Sequence, residues 1–388
     1  MKKSFVLCLS LVITSCSGMR EREDEVFLAE SEQRINLRID SNVNLHTFAM
    51  HLFSDTTGVD YLTIENNQAF PDNIINFYRL DSCKLSHIVK IHREGPNAVV
   101  GMMGHGVLGL DEIIVSSSAR PMLYKIDRDG TVIHTYDCTD DKGINTVSVF
   151  NSLIYTPLIY KEGNIYMTQL IPYTRWNGDN YGNNFEFDQC PVALVLDTAT
   201  GKFHNPSMSY PEIHKKDKLL GHNENFSRIF DGKRFVYSFF ALPDLYVSED
   251  MNTVTKYVAA SKYIGDINYK GYKENTDTEQ ASILANTATS YGNIIYDKYR
   301  DVYYRFCFLK DDIKTMPREY IWSRGDFSIM IIDNNFNIIG ETAFRSGQYA
   351  PLLFFVNKDG LWLSENNYMR PDMTDEELVF KCLKLEKK

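Results

Sequence analysis

A hairpin pattern recurs along this chain and limits what it can fold into. An apolar run closes on Asp or a polar equivalent, turns within a few residues, and resumes as a second apolar run. The pattern reads FYRLDSCKLSHIVKI from Phe77, LYKIDRDGTVIHTY from Leu123 and ALVLDTATGKFHNP from Ala193. It returns as LYVSEDMNTVTKYV from Leu245 and IMIIDNNFNIIGETAF from Ile329, with a truncated copy, FKCLKLEKK, from Phe380. Apolar runs bounded by Asp, Asn and Gly read as strands joined by tight turns. One such unit cannot bury its apolar faces alone, so a repeating unit points to a stacked array or a propeller. The expected fold class is all-β.

A propeller blade is a four-stranded antiparallel sheet, and the chain can be phased into such sets. Five sets are complete. In the third, LIYTPLIY from Leu153 is expected as the first strand. The last set, PLLFFVN, GLWLSEN and ELVFKCLKL, is one strand short, and one unassigned strand, Arg34 to Ile39, precedes the first set. The expectation is a six-bladed β-propeller over residues 34–388, closed by the N-terminal strand completing the last blade. Such closure hides sheet edges that would otherwise recruit other chains, and a single closed ring is expected to be a monomer.

Residues 1–33 read differently. Lys2 and Lys3 precede an apolar run, Phe5 to Ile13, that is shorter than the roughly 20 residues a bilayer requires. Ile13-Thr14-Ser15-Cys16 then resembles a bacterial lipobox. The resemblance implies a signal peptide over residues 1–15, cleavage before Cys16 and diacylglycerol on its thiol. A plain secretory signal is the alternative. Residues 16–33 are expected to be a flexible tether, charged from Arg20 to Glu25. The expected location is the cell envelope, as an outer-membrane lipoprotein facing the periplasm or the cell surface. Contact with the membrane would be through the lipid alone.

Removing Lys2 and Lys3 from the 41 basic residues leaves 39 against 51 acidic ones, a net −12. That balance argues against nucleic acid, which selects basic surfaces. Beyond Cys8 and Cys16 there are five cysteines, Cys83, Cys138, Cys190, Cys307 and Cys382, with no CxxC pair. Zinc and dithiol redox motifs are therefore missing, and an odd count leaves at least one thiol free within a single chain. GxSxG, HExxH and P-loop motifs do not occur.

Three stretches carry a family resemblance. Arg93-Glu94-Gly95-Pro96-Asn97, Asp111 to Val115 followed by Tyr124 to Gly130, and Tyr296 to Phe306 resemble the six-bladed propeller lipoproteins of Bacteroidetes, an uncharacterised family. The resemblance implies architecture and address. It transfers no catalytic residue.

In an antiparallel blade, the loop from second to third strand shares a face with the crossover to the next blade. The long insertions fall on that face: Pro172 to Gln189, Lys310 to Asp326 and Tyr368 to Asp375, with crossovers Asn205 to Asn225 and Lys262 to Ser290. Long loops on one side of a rigid scaffold commonly carry function. Ligand-binding candidates there are Tyr173, Arg175, Trp176, Tyr320, Trp322 and Arg324, since aromatic faces beside directed hydrogen-bond donors suit a glycan or a peptide. The same tryptophans could instead pack the loops onto the blades. The central channel is expected to be ringed by His46, His105, Asn145, Asn223, Glu224, Asn225, Ser290 and Gln348. This ring could hold Ca²⁺ through oxygen ligands with Glu224 as the carboxylate, or it could simply be polar and wet. No cofactor is otherwise expected. The leading reading is a non-enzymatic binding module for a glycan, peptide or envelope partner. The alternative is a metal-assisted hydrolase, lactonase-like enzyme or lyase working in the channel.

Overall fold

The computed structural model describes residues 24–117, 119–139, 150–169, 191–211, 225–265, 267, 283, 286–311 and 323–388. Every named element among them is a strand, and none of their helices is long and apolar enough to cross a membrane. The first sheet runs Met50–Ser54, Asp60–Asn66, Asp72–Arg79, Lys84–His92, and the second Met102–Gly109, Glu112–Ser117, Met122–Ile126, Val132–Asp137. In the third, Asn164–Gln169, Ala193–Asp197 and Phe203–His204 follow two short segments, Phe150–Asn151 and Ile159–Lys161. The fourth is Phe226–Phe230, Phe235–Phe239, Asp244–Ser248, Thr255–Val258. The remaining strands form one eight-stranded sheet. A single parallel pairing, Val26↔Gly340, divides it into two antiparallel halves. One half holds Ser290–Asp297, Val302–Phe308, Phe327–Asp333 and Ile338–Phe344. The closing half holds Ala350–Asn357, Gly360–Ser364, Glu377–Lys387 and the N-terminal strand Val26–Arg38.

The recurring Asp of the sequence is a turn cap. Asp127 Oδ1 accepts the backbone N–H groups of Asp129 and Thr131 at 3.0 and 2.9 Å. Asp197, Asp250 and Asp333 do the same at the corresponding turns. A short carboxylate that accepts hydrogen bonds from amides two to four residues further on fixes the reversal locally. Gly130 in the first of these turns has φ +82°, and a Cβ there would lie 1.9 Å from the Lys90 carbonyl oxygen of the neighbouring sheet. That turn therefore also sets how closely two sheets approach.

Strands here are buried on both faces. Tyr61 to Asn66 are all buried, because each sheet packs between two others. Tyr61, Ile75 and Phe77 of the first sheet meet Ile113, Val115 and Tyr124 of the second. Ile114 and Leu123 pack on Ile165, Met167 and Leu194 of the third, whose Ala193 packs on Phe226, Phe235 and Tyr237 of the fourth. Ile229, Val236 and Leu245 then meet Ile294, Tyr303 and Met330. Phe306 and Phe327 join Phe354, Leu363 and, back in the first sheet, Met50, Leu62 and Tyr78. Each buried Leu, Ile or Phe in these layers contributes about 1.5–3 kcal/mol.

The closing strand differs in extent from the sequence reading. It starts at Val26 rather than Arg34, so residues 26–33 belong to a sheet and not to a tether. Val26 and Leu28 are buried, as are Ile35 and Leu37, but the pairing shifts between Glu30 and Arg34. That bulge interrupts the alternation and hid the first half of the strand.

LIYTPLIY is also not one strand. Leu153 and Thr156 bridge each other across a turn, and pairing resumes only at Ile159. Pro157 has no N–H to give a ladder. The segment turns into the middle of the molecule. Ile154 N–H donates to Phe48 O of the first sheet's entry at 2.6 Å, while Tyr155 O accepts from Arg228 N–H of the fourth sheet at 2.8 Å. The Tyr155 ring lies 6.0 Å from Phe48 and 6.4 Å from Phe240. Phe48, Ile154 and Tyr155 therefore meet where the first, third and fourth sheets approach one another.

Candidate functional site

Two features of the described residues carry chemistry, and both lie toward the long-loop side. The first is a buried polar junction beneath that side. Thr63 and Glu65 sit two apart at the end of the strand Asp60–Asn66, on one side of the pleat. His105 comes from the first strand of the second sheet and His51 from the first strand of the first. His105 Nδ1 lies 3.2 Å from Glu65 Oε2, and its Nε2 lies 2.8 Å from Thr63 Oγ1. Thr63 Oγ1 also reaches His51 O at 3.2 Å, and His51 Nε2 lies 3.0 Å from Ser152 O of the third sheet. Gly104 N–H donates to Glu65 Oε1 at 3.2 Å. The His51 and His105 rings meet edge to face at 4.9 Å.

Thr63, Glu65 and His105 are sealed from solvent, whereas His51 keeps a partly exposed edge. Burial sets the protonation states. It pushes the Glu65 carboxyl up to about 7, against the pull of the Gly104 amide and His51. It drives His105 down to about 3. His51 is lowered by burial and by the neighbouring His105. Both imidazoles are neutral at pH 7, and the chain Glu65–His105–Thr63 has two proton arrangements. A neutral Glu65 donates to Nδ1, Nε2–H donates to Thr63, and the hydroxyl donates to His51 O. An ionised Glu65 accepts from Nδ1–H, and the hydroxyl donates to Nε2. The spacing is that of a hydroxyl, a base and an orienting carboxylate, yet no solvent reaches the hydroxyl.

The second feature is a polar cleft at the surface, lined by Arg34, Asn36, Glu365, Arg370, Asp372 and Thr374 among others. Arg34 Nε meets Glu365 Oε2 at 2.9 Å, Arg370 Nη1 meets Glu365 Oε1 at 3.1 Å, and Arg370 Nη2 meets Asp372 Oδ2 at 2.8 Å. Its wall is the loop between second and third strands of the closing half, which the sequence reading placed on the long-loop face. Hydrogen bonds tie that loop to its neighbours. Asn367 Nδ2 donates to Ser323 O and Tyr349 O, Tyr368 N–H to Ser323 Oγ, and Arg370 Nη1 to Gln348 O. Arg93 likewise joins a crossover to the Asn67 loop of the first sheet. Second-to-third loops and crossovers do share one face.

The expected site residues divide into three groups. Cys16, Tyr173, Arg175, Trp176, Tyr320, Trp322, Asn145, Asn223 and Glu224 lie outside the described residues. Arg324 is only 9% exposed and stacks its guanidinium 4.1 Å over the Phe308 ring. It packs a loop instead of presenting an exposed donor, because a planar guanidinium is stabilised over an aromatic face. Among the described members of the channel set, only His105 enters a cluster of titratable groups. Gln348 Nε2 donates to Glu30 at 2.8 Å and holds a crossover to the closing strand. Ser290 pairs with Phe308 at the start of its strand, Asn225 O accepts Phe240 N–H at 3.0 Å, and His46 lies against Tyr368 with ring centroids 4.9 Å apart. Among the described residues no three His, Cys, Asp or Glu side chains converge as cation ligands. Cys138, Cys307 and Cys382 are buried free thiols and Cys83 is a half-buried one.

Thr63, Glu65 and His51 were missed by the sequence reading. The available signal was an ionisable residue inside YLTIEN, a strand flanked by sheets on both sides, where an unpaired charge is costly.

Known proteins place the fold. A crystal structure of a duf4221 family member from Bacteroides vulgatus superposes with a TM-score of 0.81 at 25% identity, covering 95% of this chain and 100% of that one. A putative exported protein from Bacteroides fragilis follows, with a TM-score of 0.52 at 10% identity over 94% of this chain and 96% of that one. No curated protein matches the sequence. The family model described as Domain of unknown function (DUF4221) matches residues 25–343, and the chain belongs to that family.

Proposed function

We propose that this chain is a lipid-anchored, six-bladed propeller of the cell envelope that works as a binding module through its long-loop face, for a glycan, a peptide or an envelope protein. Cys16 would carry the lipid, and the outer membrane is the expected site, on its periplasmic or its surface side. The succession of sheet contacts, with the closing half packed back on the first sheet, supports six blades in a ring.

The observation that carries the binding role is an asymmetry in exposed apolar side chains. Nine large ones are exposed among the described residues. Five of them (Phe70, Val100, Val258, Tyr263 and Met369) belong to second-to-third loops, crossovers or the strand end that leads into one. Phe70 is 91% exposed, Val258 75% and Met369 57%. Exposed apolar side chains on the same face as the paired charges of the Arg34–Arg370 cleft, with Met369 next to Arg370, match the make-up of an interface, apolar contacts within a polar rim. Trp176 and Trp322 would extend this surface.

The test is recovery of a stoichiometric partner from detergent-solubilised envelope, together with a glycan binding screen. Replacing Phe70 and Met369 with Ser should abolish retention while the melting temperature stays unchanged. Full retention by that variant would overturn the reading.

A second reading, an enzyme at the centre, is favoured by the Thr63–His105–Glu65 spacing. Its calcium-assisted form would use Glu224 with Asn223 and Asn225. A stoichiometric divalent ion with an EDTA-induced drop in melting temperature would support that form. No metal and no shift would remove it.

A further inference from the structure

Two arginines among the described residues are fully buried, and they are treated differently. Arg305, in the second strand of its half-sheet, is 0% exposed. Its guanidinium donates to Ser238 Oγ at 2.9 Å, Pro243 O at 2.5 Å, Ala259 O at 3.0 Å and Leu242 O at 2.7 Å, and lies 4.0 Å over the Tyr291 ring. Carbonyl oxygens and an aromatic face replace the water that the cation lost.

Arg228, in the first strand of the fourth sheet, is also 0% exposed. Only its Nη2 is provided for, donating to Pro157 O at 2.7 Å and Tyr166 O at 3.2 Å. Its Nε and Nη1 are buried without a hydrogen-bond partner. Tyr237 stands directly opposite in the strand register. Its hydroxyl is close enough to interact with the guanidinium charge, yet it makes no hydrogen bond of good geometry. Thr168, on the same strand as Tyr166, has a buried hydroxyl with no partner either. Burial lowers the Arg228 pKa, against the pull of the Tyr237 hydroxyl, and no carboxylate among the described residues offsets the charge.

An uncompensated guanidinium in the interior is strongly unfavourable, and unmade hydrogen bonds make it more so. We propose that Arg228 anchors an internal site for a small inorganic anion of chloride size between the third and fourth sheets. The free groups at Arg228 are all donors, and the Tyr237 hydroxyl can donate as well, so the chemistry asked for is an acceptor with negative charge. Arg228 and Tyr237 are both 0% exposed, which favours a monatomic ion over an organic acid. This inference does not depend on the proposed binding role.

The experiment is thermal unfolding of the full chain in sodium chloride, sodium bromide and sodium gluconate at equal ionic strength. Chloride and bromide should raise the melting temperature to a plateau that gluconate does not reproduce, since a ligand of the folded state alone stabilises it. Arg228→Met should lose this halide dependence. Equal melting temperatures in chloride and gluconate would overturn the site, as would an unchanged halide effect in Arg228→Met. Should that variant fail to fold, Tyr237→Phe and bromide-soaked crystals of the wild type decide the matter. A bromide peak against the guanidinium together with a weakened halide response supports the site. Water alone there, with bromide bound elsewhere, overturns it.

Discussion

The short-turn face and the long-loop face of this molecule are built by different rules. On the short-turn face Asp caps recur, and some of the capped turns reach a neighbouring sheet. Asp231 Oδ1 accepts the amides of Lys233 and Arg234, while Arg234 Nη1 reaches Asn334 O of the following sheet at 3.1 Å. Burial works against the Asp231 carboxylate, yet the Tyr303 hydroxyl and the Arg234 and Lys233 amides hold it below the usual range. Asp297 repeats the device: Arg300 donates to it and extends to Lys358 O at 2.9 Å. On the long-loop face the described loops are held to one another, but they leave Phe70, Val258 and Met369 in solvent and a cleft of paired charges open. One face carries stability and the other is free to carry recognition.

The largest expected effect that separates the faces is at Asp297. It is 0% exposed and bonds the Tyr299 and Arg300 amides, the Arg300 guanidinium and the Tyr304 hydroxyl. Asp297→Ala should destabilise the fold by about 3–5 kcal/mol, because it strands a guanidinium and several donors. The urea midpoint measures it, and a loss under ~1 kcal/mol would break the division between faces.

The polar junction should give a smaller, pH-dependent effect. Glu65 is raised from 4.5 to about 7, so the folded state holds its proton more tightly than the unfolded chain. Its stabilising contribution is complete below pH 4.5 and is lost as pH rises through 7. His105 is lowered from 6.5 to about 3, so its contribution is complete above pH 6.5 and is lost as pH falls through 3. Between pH 5 and 8 the wild type should therefore lose stability relative to Glu65→Gln as pH rises, by no more than about 3 kcal/mol. Parallel melting curves across that range would show that Glu65 does not titrate there.

The smallest effect on stability belongs to the long-loop face. Phe70→Ser should change unfolding free energy by less than ~0.5 kcal/mol, as surface changes usually do. A clear drop in the urea midpoint would mean that Phe70 packs against the body of the protein.

Much of the architecture was legible because strand and turn signals are local. Asp127, Asp197 and Asp333 cap turns whose positions follow from adjacent residues. The sequence also separated short turns from long loops and placed them on opposite faces. It did not show that Pro157 breaks its strand and that Ile154 and Tyr155 bond the first and fourth sheets. Nor did it find Glu65 and Thr63, because the groups they meet lie about 40 positions away. Arg324 read as a surface donor because nothing near it in sequence announces Phe308.

By itself, then, the sequence determined an all-β chain of four-stranded antiparallel units, the polarity of its two faces and the need for an N-terminal strand to complete the last sheet. These follow from periodicity and turn chemistry, which act over a few residues. Only the tertiary structure decided which polar side chains are satisfied in the interior: Glu65 by His105 and Gly104, Arg305 by four oxygen acceptors, Arg228 by two. A buried group's partners are set by where other sheets arrive, and at low dielectric those partners fix its charge and its cost.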